Sequence, residues 1–261
     1  MPNKVQMGTS FEQNKAEPAS GVPTRIEYGL TDDAWSGFDE YLKELVLATG
    51  SRTICELGAG ANPALAPDFV QAHGLDYVIL DISAEELAKA PPGYRIRVQD
   101  IAKPLTGVRG TYDFVFSKML AEHVKDAEVF HRNIHALLRQ GGTAFHFFPT
   151  LYAPPYAFNL LLPERLTHWL LSRMQAGRHD SGKNAKFPAY YHWCRGPTRA
   201  QLDRLESVGF RAVRYAGFFG HPGYYKKMPF AERIHRALAS SLLRHPVPWL
   251  TSFAYAVLEK K

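Results

Sequence analysis

Between Thr53 and Phe148 short apolar runs alternate with helical patterns, joined by brief turns. Thr53–Leu57, Tyr77–Leu80 and Tyr112–Ser117 have the length and the β-branched or aromatic content of buried strands. Tyr94–Val98 alternates in and out as a half-covered strand does, and Thr143–Phe148 closes the series. Between them lie three expected helices. Pro63–His73 is stopped by Gly74, and Ala84–Ala90 is capped by Ser83. Ala127–Arg139 places Val129, Phe130, Ile134, Leu137 and Leu138 on one side and ends at Gly141-Gly142. Strand–helix–strand repetition with short turns predicts a doubly wound, mostly parallel α/β sheet covered on both faces.

The flanks extend the pattern. Asp32–Ala48 reads as a helix that Thr31 or Asp32 can cap, with Phe38, Tyr41, Leu42 and Leu45 at helical spacing. Thr198 caps a helix to Val208, followed by a strand over Phe210–Ala216, a helix near Ala231–Leu243 and a closing strand over Trp249–Leu258. Residues 1–24 are polar and proline-bearing and read as a disordered tail. The remainder, 25–261, is expected to be one domain. Two excursions break its rhythm: 150–197, with a helical patch near Glu164–Met174, and 217–247. Both are rich in proline and aromatics and read as a lid, since long connections in compact domains are usually functional.

Charge is unevenly spread. Residues 1–150 carry 14 basic and 19 acidic side chains, whereas 151–261 carry 17 basic and 6 acidic. The basic half suits an anion or a membrane surface, and also a plain solvated face. Two cysteines exclude a disulfide scaffold and a four-thiolate zinc site. Cys55 reads as a small buried hydrophobe and Cys194 as structural. The first residues show no apolar leader, and no apolar run reaches bilayer-spanning length. A cytoplasmic location is expected, with any membrane contact peripheral.

The first strand runs into Glu56-Leu57-Gly58-Ala59-Gly60-Ala61-Asn62-Pro63. Glycines at a strand end let the backbone approach a ligand, at the edge where doubly wound sheets bind theirs. Asp81 ends the second strand, where a carboxylate can accept both hydroxyls of a ribose. Asp100 ends the third, where it can accept from an adenine amino group while Ile101 covers the ring. The stretches ELGAGANP, VILDIS, QDIAKPL, YDFVFSKMLAEHV and LLRQGGTAFHFFP occur in this order. Together they resemble class I S-adenosylmethionine-dependent methyltransferases of the type 11 group, over residues 25–148 plus 198–258. The resemblance implies a Rossmann-like, mostly parallel seven-stranded sheet whose lid insertions bind the methyl acceptor. It also implies S-adenosylmethionine as cofactor: Glu56, Gly58 and Gly60 at its methionine and ribose end, Asp81 on the ribose, Asp100 and Ile101 on the adenine, and Ser117 or Lys118 near the sulfonium. Ala59, Asn62 and Ile82 complete the set. Asn62-Pro63 stands where many members carry a third glycine. Pro63 suits a first helical position and Asn62 a cap, which argues against the dinucleotide fingerprint of nicotinamide enzymes.

Methyl transfer to a hydroxyl needs a group that accepts the hydroxyl's proton as the new bond forms. His123, after the fourth strand, is the first candidate and His192, in Tyr190-Tyr191-His192-Trp193, the second. His221 is a third, and His146, inside a strand, reads as structural. The Glu122-His123 stretch also resembles ubiquinone-pathway O-methyltransferases, where such a pair and an earlier acid are implicated in metal binding. Met119 replaces that acid here, so no metal is expected. The lid is basic and aromatic (Arg178, His179, Lys183, Lys186, Tyr190, Tyr191, Trp193, Arg195, Arg199, then Tyr224 to Lys227), which suits a small-molecule or glycan acceptor, including an anionic one. No RNA-binding module is visible, and nucleic acid is not expected. The expected function is O-methylation of such an acceptor. The alternatives are an aryl- or quinone-type O-methyltransferase, or a non-catalytic cofactor-binding protein that docks an anionic partner.

Overall fold

The computed structural model describes residues 23–105, 109–151, 188–221 and 229–261. In chain order they form β1 (Arg25–Leu30), α1 (Thr31–Ala48), β2 (Thr53–Leu57), α2 (Pro67–Ala72), β3 (Asp76–Asp81), α3 (Ala84–Leu87), β4 (Arg95–Val98), β5 (Tyr112–Lys118), α4 (Ala127–Leu137), β6 (Leu138–Pro149), α5 (Arg199–Ser207), β7 (Phe210–Phe219), α6 (Pro229–Arg244) and β8 (Phe253–Lys260). The sheet has eight strands in the order β1-β7-β8-β6-β5-β2-β3-β4. Only β8 runs against its neighbours. The carboxyl ends of the other seven therefore share one edge, the working edge of the sheet.

Two aromatic layers hold the sheet between helices. Phe145 and Phe147 of β6 face α1, where the Phe38 ring stacks at 5.7 Å and 5.5 Å from theirs. Tyr41 stacks on Tyr255 of β8 at 5.5 Å. The intervening His146 points the other way, toward Phe130 of α4 at 5.7 Å. Period-2 alternation along β6 thus supplies both faces, and α1 and α4 cover opposite sides. Ser83, Asp126 and Thr198 cap α3, α4 and α5 by accepting from Glu86 N, Val129 N and Gln201 N. The first and last of these match the sequence reading.

Several boundaries differ from the sequence reading. The sheet has one strand more than expected, because Arg25–Leu30 pairs in parallel with β7. Thr31 and Asp32 do not cap α1: Leu30 is the cap residue, and the Thr31 hydroxyl donates to Gly220 O instead. The second helix begins at Pro67, not Pro63, and its cap residue is Ala66 rather than Asn62. The Asn62 N–H closes a turn on Ala59 O, and Ala64 N donates to Glu56, so the chain there is already committed to a loop. β4 is not half covered, since Ile96 and Val98 are both exposed on an edge strand. The helical patch near Glu164–Met174 and most of the 150–197 excursion lie outside the described residues, as do 1–22 and 222–228. No helix among the described residues is long and apolar enough to cross a membrane.

Candidate active site

The loop after β2 is built for close approach. Gly58 has φ +72°, and a Cβ there would lie 2.9 Å from Leu120 Cδ1. Conformation and space both require glycine. The Gly58 N–H donates to Leu80 O at 2.7 Å, holding the loop against β3. Asp81 closes β3 and accepts twice, from Gly60 N at 3.0 Å and from Ser83 N at 2.9 Å. One carboxylate therefore ties the glycine loop to the entry of α3 and keeps acceptor capacity toward the cavity. Glu56 lies beneath the same loop, 3% exposed. Its Oε2 accepts from Ala64 N at 3.0 Å and from the Tyr77 hydroxyl. Burial pushes its carboxyl up to about 7.

A cavity of about 480 Å³ opens at these strand ends. Gly58, Asp81, Ile82, Asp100 and Ile101 line one side, and Met119, Leu120, His123 and Tyr190 the other. The Asp100 Oδ1 accepts from Ala102 N at 2.9 Å, turning the chain so that both face the cavity. Asn133 of α4 fixes that turn by donating to Ile101 O at 2.7 Å and Lys103 O at 2.8 Å. Ile82 is 66% exposed, an apolar side chain left open at the rim.

The opposite wall depends on a segment distant in sequence. A 3-10 turn at Ala121–His123 follows β5, and residues 188–195 fold onto it. Glu122 O accepts from Tyr190 N at 2.7 Å and Tyr191 N at 3.1 Å. His123 Nδ1 lies 2.8 Å from Pro188 O. A carbonyl can only accept, so Nδ1 is the donor, and in the neutral ring Nε2 is the nitrogen with the lone pair. That Nε2 is 3.7 Å from Glu122 Oε1. The Glu122 carboxyl is 2% exposed, and its Oε2 has no hydrogen-bond partner among the described residues. Burial pushes it up to about 8. Met119, Tyr191 and Trp193 all adopt positive φ, which side-chain-bearing residues rarely do, and they flank this wall.

The structure brings together Gly58, Asp81, Ile82, Asp100, Ile101 and His123. Other expected residues sit elsewhere. Glu56, Ala59, Gly60 and Asn62 form or brace the loop without lining the cavity. Ser117 is fully buried, 2.8 Å from His146 Nδ1, and Lys118 places its Nζ 4.1 Å over the Phe38 ring and 3.5 Å from Asp39. His192 donates from Nδ1 to Lys125 O and lines a second cavity of about 730 Å³, which shares only Ala102 and Lys125 with the first. His221 stands beyond β7, its N–H bonded to His235 Nε2 at 2.6 Å. Leu120 is a wall residue that the sequence did not single out, whereas Tyr190, expected as part of the aromatic lid, does line this cavity. Leu120 follows a strand end directly, which is the available signal. The signal for Tyr190 is its aromatic lid stretch, but its place beside the strand-end carboxylates depends on the long-range fold-back.

A mostly parallel sheet with Asp81 closing β3 and Asp100 just beyond β4, both lining one cavity, is the Rossmann-like arrangement that takes a nucleoside-bearing ligand. A family model described as "Methyltransferase domain" matches residues 35–213, most of the chain, and the chain belongs to that family. It is an S-adenosylmethionine-dependent methyltransferase. The fold is shared with solved structures of low sequence identity. An S-adenosylmethionine dependent methyltransferase from Mesorhizobium loti superposes with a TM-score of 0.51 at 18% identity, covering 87% of this chain and 97% of that one. Phosphoethanolamine N-methyltransferase 2 from Haemonchus contortus gives 0.52 at 15% identity, covering 85% and 52%. Geranyl diphosphate C-methyltransferase from Streptomyces coelicolor A3(2) gives 0.51 at 11% identity, covering 85% and 79%. A search of the curated proteins finds no match.

Proposed function

We propose that this methyltransferase acts on a hydroxyl of a small-molecule or glycan acceptor, with His123 accepting the hydroxyl's proton. The observation that carries this reading is the anchored imidazole. Its Nδ1 is fixed on Pro188 O, and its ring lines the cavity that the strand-end carboxylates also line. The residues present fit S-adenosylmethionine. Gly58 leaves room where a Cβ would meet Leu120, Asp81 and Asp100 offer acceptors at two strand ends, and Ile101 and Leu120 supply apolar walls. Asp81 and Ile82 would hold the ribose side, and Asp100 and Ile101 the adenine side. When bound, the cofactor supplies a methyl group on a sulfonium.

The chain's own residues do the rest. Orienting acceptor and donor in one cavity is worth about 7–11 kcal/mol of barrier in well-aligned systems. An aliphatic hydroxyl holds its proton about as tightly as water does, far more tightly than an imidazolium holds its own. An imidazole cannot remove that proton beforehand, but it can take it as the carbon–oxygen bond forms. Pro188 and Tyr190, from the 150–197 excursion, form part of the wall, which supports reading that insertion as acceptor-binding.

The test is to incubate the enzyme with labelled cofactor and acceptor pools and to identify the product by mass spectrometry. An O-methyl product is expected, and an N- or C-methyl product overturns the hydroxyl assignment. His123→Ala is expected to lower turnover about 10²–10⁴-fold with cofactor affinity unchanged. Wild-type turnover in that variant would remove His123 as the base.

A further inference from the structure

The helix α6 is turned the wrong way for a core helix. Its protein-facing side is small and polar: Ala239 packs at Gly220, His235 accepts from His221 N at 2.6 Å, and Arg236 bonds Glu232 at 2.9 Å and reaches Asp32 at 3.4 Å. Ala239 is its only buried residue. The opposite side carries Phe230, Ile234 and Leu238, spaced i, i+4, i+8 and therefore in one row. They are 77%, 47% and 58% exposed. Past the helix end Val247, Trp249 and Leu250 are exposed as well. Seven of the fifteen large hydrophobics that the described residues expose fall between Phe230 and Leu250. Apolar exposure concentrated in one stretch, with Phe230, Ile234 and Leu238 in one row, marks an interaction surface rather than scattered exposure.

Charge selects the partner. At 100° per residue, Arg233 and Arg244 border the apolar row on one side. Both are exposed and neither has an ion-pair partner among the described residues. The only acid on the helix, Glu232, is paired to Arg236 on the protein side. A second copy docked on this face by a twofold axis would bring the same arginines toward one another. An anionic bilayer surface pairs with them instead, and Phe and Leu beside Arg on one helix is the composition that lies in the headgroup boundary.

We propose that α6 and the 247–250 segment dock this enzyme on an anionic lipid bilayer, the Phe230–Ile234–Leu238 row entering the acyl boundary and Arg233 and Arg244 meeting the headgroups. The surface lies on the working edge of the sheet, since α6 follows the carboxyl end of β7 and packs on Gly220.

The experiment is flotation of the full chain with phosphatidylcholine vesicles and with vesicles that also contain phosphatidylglycerol. Binding is expected to the anionic vesicles, weakened by added salt. Phe230→Glu/Leu238→Glu is expected to lower the partition coefficient roughly tenfold or more, and Arg233→Glu/Arg244→Glu to remove the preference for phosphatidylglycerol. Thermal melts of both variants should match the wild type, because the replaced side chains are exposed. Failure to float with anionic vesicles, equal binding to neutral ones, or unchanged binding in the Phe230/Leu238 variant overturns the proposal. So does concentration-dependent dimerisation that the same variant abolishes. None of these readouts depends on methylation, so they stand apart from the acceptor assignment.

Discussion

Asp81 has two duties that a single substitution separates poorly and a pair separates well. Its oxygens take the N–H groups of Gly60 and Ser83, and the same carboxylate lines the cavity. Asp81→Ala is expected to weaken S-adenosylmethionine binding about tenfold or more, near 1.4 kcal/mol, in calorimetry. Asp81→Asn keeps one acceptor for the loop, so it should melt closer to wild type while still binding poorly. Glu122 sets a pH dependence. Its carboxyl is held up to about 8 against an ordinary 4.5, so the folded state keeps a proton that the unfolded chain releases. The stability this brings is full below the ordinary value and is lost as pH rises through the folded one. His131 acts on the other flank: burial lowers it to about 4, so the stability of keeping it neutral is lost as pH falls below its usual 6.5. Glu122→Gln should therefore melt like wild type at about pH 5 and above it at about pH 8. Parallel melting curves at both pH values would contradict the buried, protonated carboxyl.

At the scale of elements, the glycine loop carries the sharpest expectation. Gly58→Ala places a methyl 2.9 Å from Leu120 at φ +72°. A cost of about 1–3 kcal/mol is expected in urea unfolding, with weakened cofactor binding as Leu120 is displaced into the cavity. The same elements show what a sequence carries. Buried parallel strands are legible because both faces are apolar, as in Tyr77–Leu80, and acids at their ends stand out against that background. Asp81 was readable for this reason; Asp100, two residues past the exposed edge strand β4, was readable from its place in the strand order and its resemblance to a motif. The start of α2 was not, because Pro63 and Asn62 look like a helix entry until Glu56 and Ala59 claim the neighbouring N–H groups. β1 escaped for a different cause. It is a short edge strand with an exposed Ile26, and it is defined by a partner in β7 rather than by its own pattern. Tyr190 was legible as part of an aromatic lid, but not its place beside Glu122, which rests on hydrogen bonds across a long insertion.

For the whole molecule, β1 and β7, far apart in sequence, are stitched together. Arg214 of β7 bonds Glu27 of β1 through Nε at 2.9 Å, while its guanidinium lies 4.7 Å over the Tyr41 ring of α1. Glu27→Ala leaves this largely buried cation short of its partner and is expected to cost about 1–3 kcal/mol, read as a lower urea midpoint at constant slope. An unchanged midpoint would make β1 an ornament rather than a part of the domain. The links between elements are also divided. Those entering β2, β3 and β7 from the preceding helices are four, three and two residues long, and α4 passes into β6 with none. The long excursions all leave from strand ends on the working edge. β8, being reversed, finishes on the tight side, where Lys261 donates its N–H to Gly209 O at 3.0 Å. A dye, bead or fused reporter joined there would sit behind the sheet. The cavity and α6 would then face freely outward, so that single molecules could be watched at a surface without the tether entering the view.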